Sequence, residues 1–100
     1  MARKQTFLGV AWSARFRESY PRLSSDRQKG ADKVVLALIK QEITPGMRIK
    51  PIEPEKYYNE ARINDGDRLI FRIEDDRVWF VDVVPHDEIG RYGRPVPGLF

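Results

Sequence analysis

Two arginines and the single histidine are the side chains in this sequence best suited to chemistry. Arg68 stands at the start of a predicted strand, and Arg62 lies in the predicted strand before it. A guanidinium group binds phosphate oxygens through paired hydrogen bonds and stays charged at physiological pH. His86 follows the last predicted strand, and an imidazole exchanges protons near neutral pH. These residue types indicate a site that binds phosphate and transfers a proton.

Each of these side chains also has acidic neighbours that would hold it in a structural ion pair instead. The sequence leaves both interpretations open for each residue. The acidic neighbours are Asp65, Asp67 and Glu60 for Arg68, Glu74 for Arg62, and Asp87 and Glu88 for His86.

The composition excludes several classes of site. The sequence has 100 residues, which corresponds to a single domain. It contains no cysteine, which excludes disulfide frameworks, thiolate zinc sites and thiol nucleophiles. One histidine is too few for a multi-histidine metal site, and the seven scattered glycines form no phosphate-binding loop. We therefore expect neither a metal nor a cofactor.

The charge is distributed unevenly along the chain. The net charge is +3, but residues 1–50 carry +7 and residues 51–100 carry −4. A basic surface of this kind favours a polyanionic partner, although charged stretches are more often simply solvated faces. No stretch has the length of a membrane span, and the first residues lack the apolar segment of a signal peptide. We therefore expect a cytoplasmic protein.

A strand and a short helix are predicted in the first 21 residues. Residues 5–12 alternate loosely and include large apolar side chains, which favours a strand. Ser13 is placed to cap a helix of about two turns. That helix would carry Phe16 and Tyr20 on one face and end at Pro21.

A longer helix is predicted over residues 25–42. Ser25 with Gln28 forms a capping-box pattern, and Pro45 with Gly46 closes the segment. Apolar residues recur between these signals at helical spacing. They are Ala31, Val34, Val35, Leu38 and Ile39.

The apolar period changes to two after residue 47, which predicts strands. Four strands are expected, over residues 47–52, 57–63, 68–73 and 77–84. Together the elements predict an α+β fold with the order β-α-α-β-β-β-β. In this fold a helical hairpin packs on one face of an antiparallel β-sheet, giving two layers. Residues 93–100 read as an irregular tail.

The sequence resembles the RelE/ParE superfamily of bacterial toxin–antitoxin systems over about residues 6–92. Residues 60–71 are similar to the middle hairpin of the family, in which a basic residue leads into a turn and an Arg-aliphatic-aliphatic-aromatic strand follows. The spacing from Arg62 to Arg68 is similar to that of YoeB-type members. Residues 84–88 resemble the ending of the family's last strand, and residues 11–13 fit the approach to its first helix.

The resemblance implies a toxin that cuts messenger RNA, usually on the ribosome, without a metal, and so inhibits translation. In this reaction the ribose 2′-oxygen attacks the adjacent phosphate, which requires a base, cations and an acid. Arg68 matches the arginine on the scissile phosphate, and His86 matches a histidine that acts as acid or base. Arg62 is a further phosphate-binding candidate, and Tyr92 matches a C-terminal tyrosine that stacks on a base or orients the phosphate.

Other basic and aromatic residues are candidates for holding the RNA strand. Lys50 and Arg48 alternate with Ile49 and would form a basic rim for the RNA backbone, with plain solvation as the alternative. Trp79 alternates with Phe80 on a strand, so one of the two rings belongs to the core. The other would lie on the open face of the sheet, where a base can stack.

The sequence departs from the family at the general base. The two lysines of RelE correspond to Asn59 and Ala61, and the glutamate base of YoeB-type members falls near Ile49. Glu60 and His86 are the local substitutes. The resemblance also implies an antitoxin protein as partner. Two alternatives to the RNA-cleaving toxin are a ParE-like toxin that binds DNA gyrase and a degenerate member that only pairs with an antitoxin.

Overall fold

The computed structural model of this protein describes residues 9–100 and has an α+β fold. Two helices pack on one face of a five-stranded sheet. The strands are β1 (Gly9–Trp12), β2 (Lys50–Pro51), β3 (Asn59–Arg62), β4 (Asp67–Glu74) and β5 (Arg77–Pro85). The helices are α1 (Ala14–Ser19) and α2 (Ser25–Lys40), and three short 3-10 helices cover Tyr20–Arg22, Pro45–Met47 and His86–Tyr92. The predicted fold class is confirmed.

The sheet has the strand order β1-β5-β4-β3-β2. Strands β2 to β5 form the predicted antiparallel meander. The sheet differs from the expectation at one edge, because β1 pairs with β5 in parallel. The helical hairpin carries the chain away from β1 to the far edge of the sheet, so β1 meets β5 only when the meander has been completed. Residues 5–8 of the predicted first strand lie outside the described residues.

Serines begin both helices. Ser13 caps α1 and accepts a hydrogen bond from the Phe16 amide at 2.9 Å, as the sequence predicts. Ser24, one residue before the predicted cap, caps α2, and Gln41 in a left-handed conformation ends it. The predicted capping box of Ser25 and Gln28 does not form, because the Gln28 side chain donates to the Tyr20 carbonyl instead. No helix in residues 9–100 has the length and apolar character needed to cross a membrane.

Two hydrophobic clusters cover the two faces of the sheet. The helix-side core lies between the sheet and the helices, and it contains Phe16, Ala31, Val34, Val35, Leu38, Met47, Ala61, Leu69, Phe71, Val78, Phe80 and Val83. The outer core lies on the opposite face, which we call the outer face, and it contains Ile52, Tyr58, Ile70, Val81, Val84, Tyr92 and Leu99. Residues 93–100 form no helix or strand. Leu99 nevertheless lies buried in the outer core, and its carbonyl accepts a hydrogen bond from the Ala14 amide.

Candidate functional site

Arg62 and Arg68 lie on the outer face at one end of the sheet, and His86 follows β5 at the same end. Arg62 is the direct register partner of Arg68, and Arg68 is the partner of Val84, a residue of the outer core. The His86 amide continues the ladder by donating to the Gly66 carbonyl at 2.8 Å. His86 is the first residue of the 3-10 helix that follows β5, so its backbone lies beside the turn that leads into Arg68.

The Arg68 side chain is held by the turn that precedes it. Its Nη1 donates to the carbonyls of Asn64 at 2.7 Å and Asp67 at 3.0 Å. Its Nε lies 3.8 Å from Oε1 of Glu60, and the side chain is only 13% exposed. Within the described residues no hydrogen bond uses Nη2. The guanidinium is therefore fixed in place with one nitrogen left for a ligand.

Glu60 lies on the same face as Arg68. Its strand partner is Ile70, which belongs to the outer core, and its side chain is buried against Arg68. Lys50 is the register partner of Glu60 on the neighbouring strand β2 and is exposed. The structure thus places a carboxylate and a lysine beside the predicted arginines. The direction of Glu60 is a feature that the sequence had left open.

The turn before β4 is stabilised from two sides. The side-chain oxygen of Asn64 accepts hydrogen bonds from the amides of Gly66 and Asp67, both at 2.8 Å. Arg27 of α2 binds the Asp67 carboxylate with two hydrogen bonds. These bonds hold the pKa of Asp67 below its ordinary value. The turn carbonyls that hold Arg68 are therefore part of a rigid loop.

Arg62 and His86 are more accessible than Arg68. Arg62 forms an ion pair with Asp65, and its side chain is 30% exposed. The His86 side chain is 58% exposed, and its Nδ1 lies 3.8 Å from Oδ1 of Asp87. Arg48 is exposed in a left-handed conformation at the end of the 3-10 helix before β2. Of these, Arg62 is the strand neighbour of Arg68, and His86 lies next to the turn that holds it.

Tyr92 lies apart from this group, in the outer core. Its ring is 1% exposed and meets the Tyr58 ring edge to face at 5.7 Å. Its hydroxyl donates a hydrogen bond to the buried carboxylate of Asp82. Burial, and next this hydrogen bond, raise the pKa of Tyr92 well above its ordinary value. A ring enclosed in this way has no open face for a base, so Tyr92 lies outside the candidate site.

The contacts that organise the site were not among the sequence predictions. The pair of Arg27 and Asp67 joins residues 40 positions apart, and no local pattern in the sequence signals it. The buried Asp82 interrupts the apolar run of β5, which is a weak signal for a buried hydrogen-bonded carboxylate.

The sheet order and the helical hairpin define a known fold. The fold is that of the RelE/ParE-like toxins of toxin–antitoxin systems, as the sequence predicts. No family model matches the sequence, and no curated protein sequence matches it significantly.

Three solved structures illustrate the likeness in fold. A chain of the E. coli DinJ–YafQ toxin–antitoxin complex is 17% identical with a TM-score of 0.69, and the match covers 84% of this chain and 96% of that one. A copper-bound mutant toxin from Helicobacter pylori is 18% identical with a TM-score of 0.68, covering 82% and 98%. A YoeB/ParE toxin from Agrobacterium tumefaciens is 13% identical with a TM-score of 0.67, covering 79% and 99%.

Proposed function

We propose that this protein is the toxin of a toxin–antitoxin pair and cleaves messenger RNA on the ribosome without a metal ion. The observation that carries the proposal is the grouping of Arg62, Arg68, Glu60 and His86 at one end of the sheet. The fold shared with known toxins supports it. The group contains phosphate-binding cations and two side chains able to transfer protons.

The proposed reaction is an attack of the ribose 2′-oxygen on the adjacent phosphorus. Glu60 takes the proton of the 2′-hydroxyl, and His86 gives a proton to the leaving 5′-oxygen as its bond to phosphorus breaks. The products are a 2′,3′-cyclic phosphate and a free 5′-hydroxyl. Arg68, with Arg62, stabilises the added negative charge on the phosphorus oxygens. The two roles are assigned in this way because Glu60 is buried beside Arg68 and His86 is exposed.

Lys50 and Arg48 would bind phosphates next to the cleaved one. Both are exposed, and Lys50 lies directly across from Glu60. Contacts to the backbone contribute affinity without sequence preference and weaken as salt rises.

A cleavage assay on ribosome-bound and free messenger RNA tests the proposed reaction. We expect His86→Gln to slow cleavage by about 100-fold or more, because it removes the proton donor. Arg68→Lys keeps a positive charge but loses the planar fork, so a loss of similar size is expected. Arg77→Lys is the matched control, since Arg77 is exposed at the opposite end of β5. Melting curves verify that all variants fold.

A second candidate function is a ParE-like toxin that binds DNA gyrase and cleaves nothing. The observation in its favour is that both arginines already have protein partners, Arg62 with Asp65 and Arg68 with Glu60 and the turn carbonyls. Growth arrest with intact RNA and inhibited gyrase would select this function. The absence of growth arrest, with intact RNA and active gyrase, would leave a degenerate member that only binds an antitoxin.

We also propose an antitoxin as partner, bound in a groove beside α2. The groove has a volume of about 440 Å³, and its rim carries Lys33, Lys40, Arg62 and Glu42. Leu36 stands at its edge and is 51% exposed. Apolar residues form the floor, among them Val34, Met47 and Ile63. An apolar floor with a mainly cationic rim fits an amphipathic helix that carries acidic residues.

Charge reversal tests this partner surface. The double change Lys33→Glu and Lys40→Glu should weaken binding of the cognate antitoxin by at least tenfold, and binding should fall as salt rises. Lys29→Glu is the control, because Lys29 lies on α2 but does not line the groove. Equal binding by all three proteins would place the antitoxin elsewhere.

A further inference from the structure

A second cavity lies on the outer face, at the end of the sheet opposite the candidate site. It has a volume of about 220 Å³ and lies between the sheet and residues 93–100. Its lining includes Tyr57, Arg72, Glu74, Trp79 and Phe100. Pockets for drug-sized ligands have volumes of ~300 Å³ or more. The smaller volume here suits a flat ring system and is too small for a folded peptide.

Arg72 is fixed over an aromatic ring in this cavity. Its guanidinium carbon lies 3.7 Å from the centre of the Tyr57 ring. Its Nη1 donates to the Tyr57 carbonyl at 2.6 Å, and its Nε donates to Oε2 of Glu74 at 3.1 Å. The guanidinium and the ring therefore form a stacked pair whose geometry is set before any ligand arrives.

Two further aromatic rings border the cavity. Trp79 is the strand partner of Arg72, and its indole nitrogen donates to the Glu74 carbonyl at 3.1 Å. The ring of Phe100 meets Trp79 edge to face at 4.9 Å and is 57% exposed. Within the described residues, Oε1 of Glu74 accepts no hydrogen bond. The cavity thus combines flat apolar walls with one carboxylate oxygen available as an acceptor.

We propose that this cavity binds a nucleobase, with guanine preferred. Aromatic rings and arginine planes are the surfaces on which proteins stack the bases of single-stranded RNA. Guanine presents two adjacent N–H groups on one edge. Oε1 of Glu74 accepts from one of them, and Oε2, which already accepts from Arg72, accepts from the other through its second lone pair. The other bases present fewer donors at this edge, so they bind less tightly.

The proposal rests on the proposed function in one respect, which is that the base belongs to the RNA held at Arg68. Arg68 and Arg72 lie on the same face of β4, four residues and about 13 Å apart. Ile70, a fully buried residue of the outer core, lies between them. The RNA strand therefore crosses the outside of the outer core, and a base that flanks the cleaved phosphate enters the cavity.

The test is a titration of the isotope-labelled protein with guanosine monophosphate, followed by nuclear magnetic resonance. We expect the indole N–H signal of Trp79 to shift, more strongly than with the adenosine, cytidine or uridine monophosphates. Inorganic phosphate alone should leave this signal in place. Phe100→Ala and Glu74→Gln should each weaken binding about fivefold or more. Ile43→Ala is the control, because Ile43 is equally exposed but outside the cavity.

The outcomes separate this proposal from the proposed function. An unmoved Trp79 signal, or equal shifts for all four nucleotides, would overturn the cavity as a guanine site even in a protein that cleaves RNA. A Trp79 shift that survives in Arg68→Lys and His86→Gln, in a protein that cleaves no RNA, would support the cavity and reject the cleavage reaction.

Discussion

Arg27 and Asp67, 40 residues apart in the chain, form a two-point ion pair between α2 and the start of β4. Nε of Arg27 lies 3.0 Å from Oδ2, and Nη2 lies 2.7 Å from Oδ1. The carbonyl of Asp67 in turn accepts from the guanidinium of Arg68. The long helix therefore helps to set the position of the arginine proposed to bind phosphate.

Removing this ion pair is expected to destabilise the fold. Arg27→Gln should lower the free energy of unfolding by about 1–2 kcal/mol, since charged hydrogen bonds contribute ~1.5–3 kcal/mol and the 44% exposure of Arg27 screens them. Urea denaturation measures the loss. Arg17→Gln is the matched control, because Arg17 is an exposed residue of α1 and should change stability little. Equal losses in both variants would contradict a specific role for Arg27.

The ion pair between Arg27 and Asp67 also predicts that the free energy of unfolding falls at acidic pH. Hydrogen bonds from Arg27 hold the folded pKa of Asp67 below its ordinary value. The stabilisation is therefore complete above the ordinary aspartate value of about 3.9 and disappears as the pH falls through the lower folded value. Stability curves of wild type and Arg27→Gln should converge in acid. Curves that stay parallel down to acid unfolding would reject this account.

Two helix-capping serines should differ in their contribution to stability. Ser13 is buried, and its hydroxyl both accepts from the Phe16 amide and donates to the Val81 carbonyl. Ser24 is exposed and accepts from the Arg27 amide at 3.4 Å. We expect Ser13→Ala to lower the free energy of unfolding by about 2–3 kcal/mol, because it also leaves the buried Val81 carbonyl without a hydrogen-bond donor. Ser24→Ala should lower it by about 0.5–1 kcal/mol. Thermal or urea unfolding ranks the two, and a reversed ranking would contradict the structure.

Gly93 holds a close contact between residues 93–100 and the loop before β3. A Cβ added there would lie 2.7 Å from the Glu53 carbonyl oxygen and 2.9 Å from Cδ of Pro54. Gly93→Ala should therefore destabilise the protein by about 1–3 kcal/mol. Gly90→Ala is the control, since a Cβ there meets nothing within 4 Å. Chemical denaturation compares the free energies of unfolding of the two variants. A Gly93→Ala protein as stable as wild type would contradict a close contact at this position.

The hydrogen bond between Tyr92 and Asp82 is expected to make the fold sensitive to alkali. Burial and Asp82 raise the folded pKa of Tyr92, so its stabilisation is complete below the ordinary tyrosine value of about 10 and is lost as the pH rises through the folded value. Tyr92→Phe should cost about 1–3 kcal/mol at neutral pH, because it leaves a buried carboxylate oxygen without its donor.

Denaturant titrations from neutral to alkaline pH measure both effects. Tyr20→Phe is the matched control, because Tyr20 donates to Asp32 on the exposed surface at 2.6 Å. A smaller loss is expected there. A Tyr92→Phe protein as stable as Tyr20→Phe would show that the buried pair contributes nothing special.

The elements of this protein follow from local signals in its sequence. Apolar spacing and a serine cap define α2, and a change of period to two defines β4 and β5. The reversal between those strands uses Asp75 and Asp76, both in the left-handed conformation that aspartate tolerates. Such signals act over a few residues, so they can be recognised without knowing which elements meet.

The contacts that build the site were decided by the tertiary structure. The sequence placed Arg62, Arg68 and His86 near strand ends, but the pairing of three strands brought them to one end of the sheet. Strand register and packing between distant segments decide three further features. They are the orientation of the Glu60 side chain, the burial of Tyr92 and the ion pair between Arg27 and Asp67. Periodicity in a sequence states which residues share a face. The tertiary structure alone decides which of these faces pack against each other, because strand register and the packing of the cores involve the whole chain.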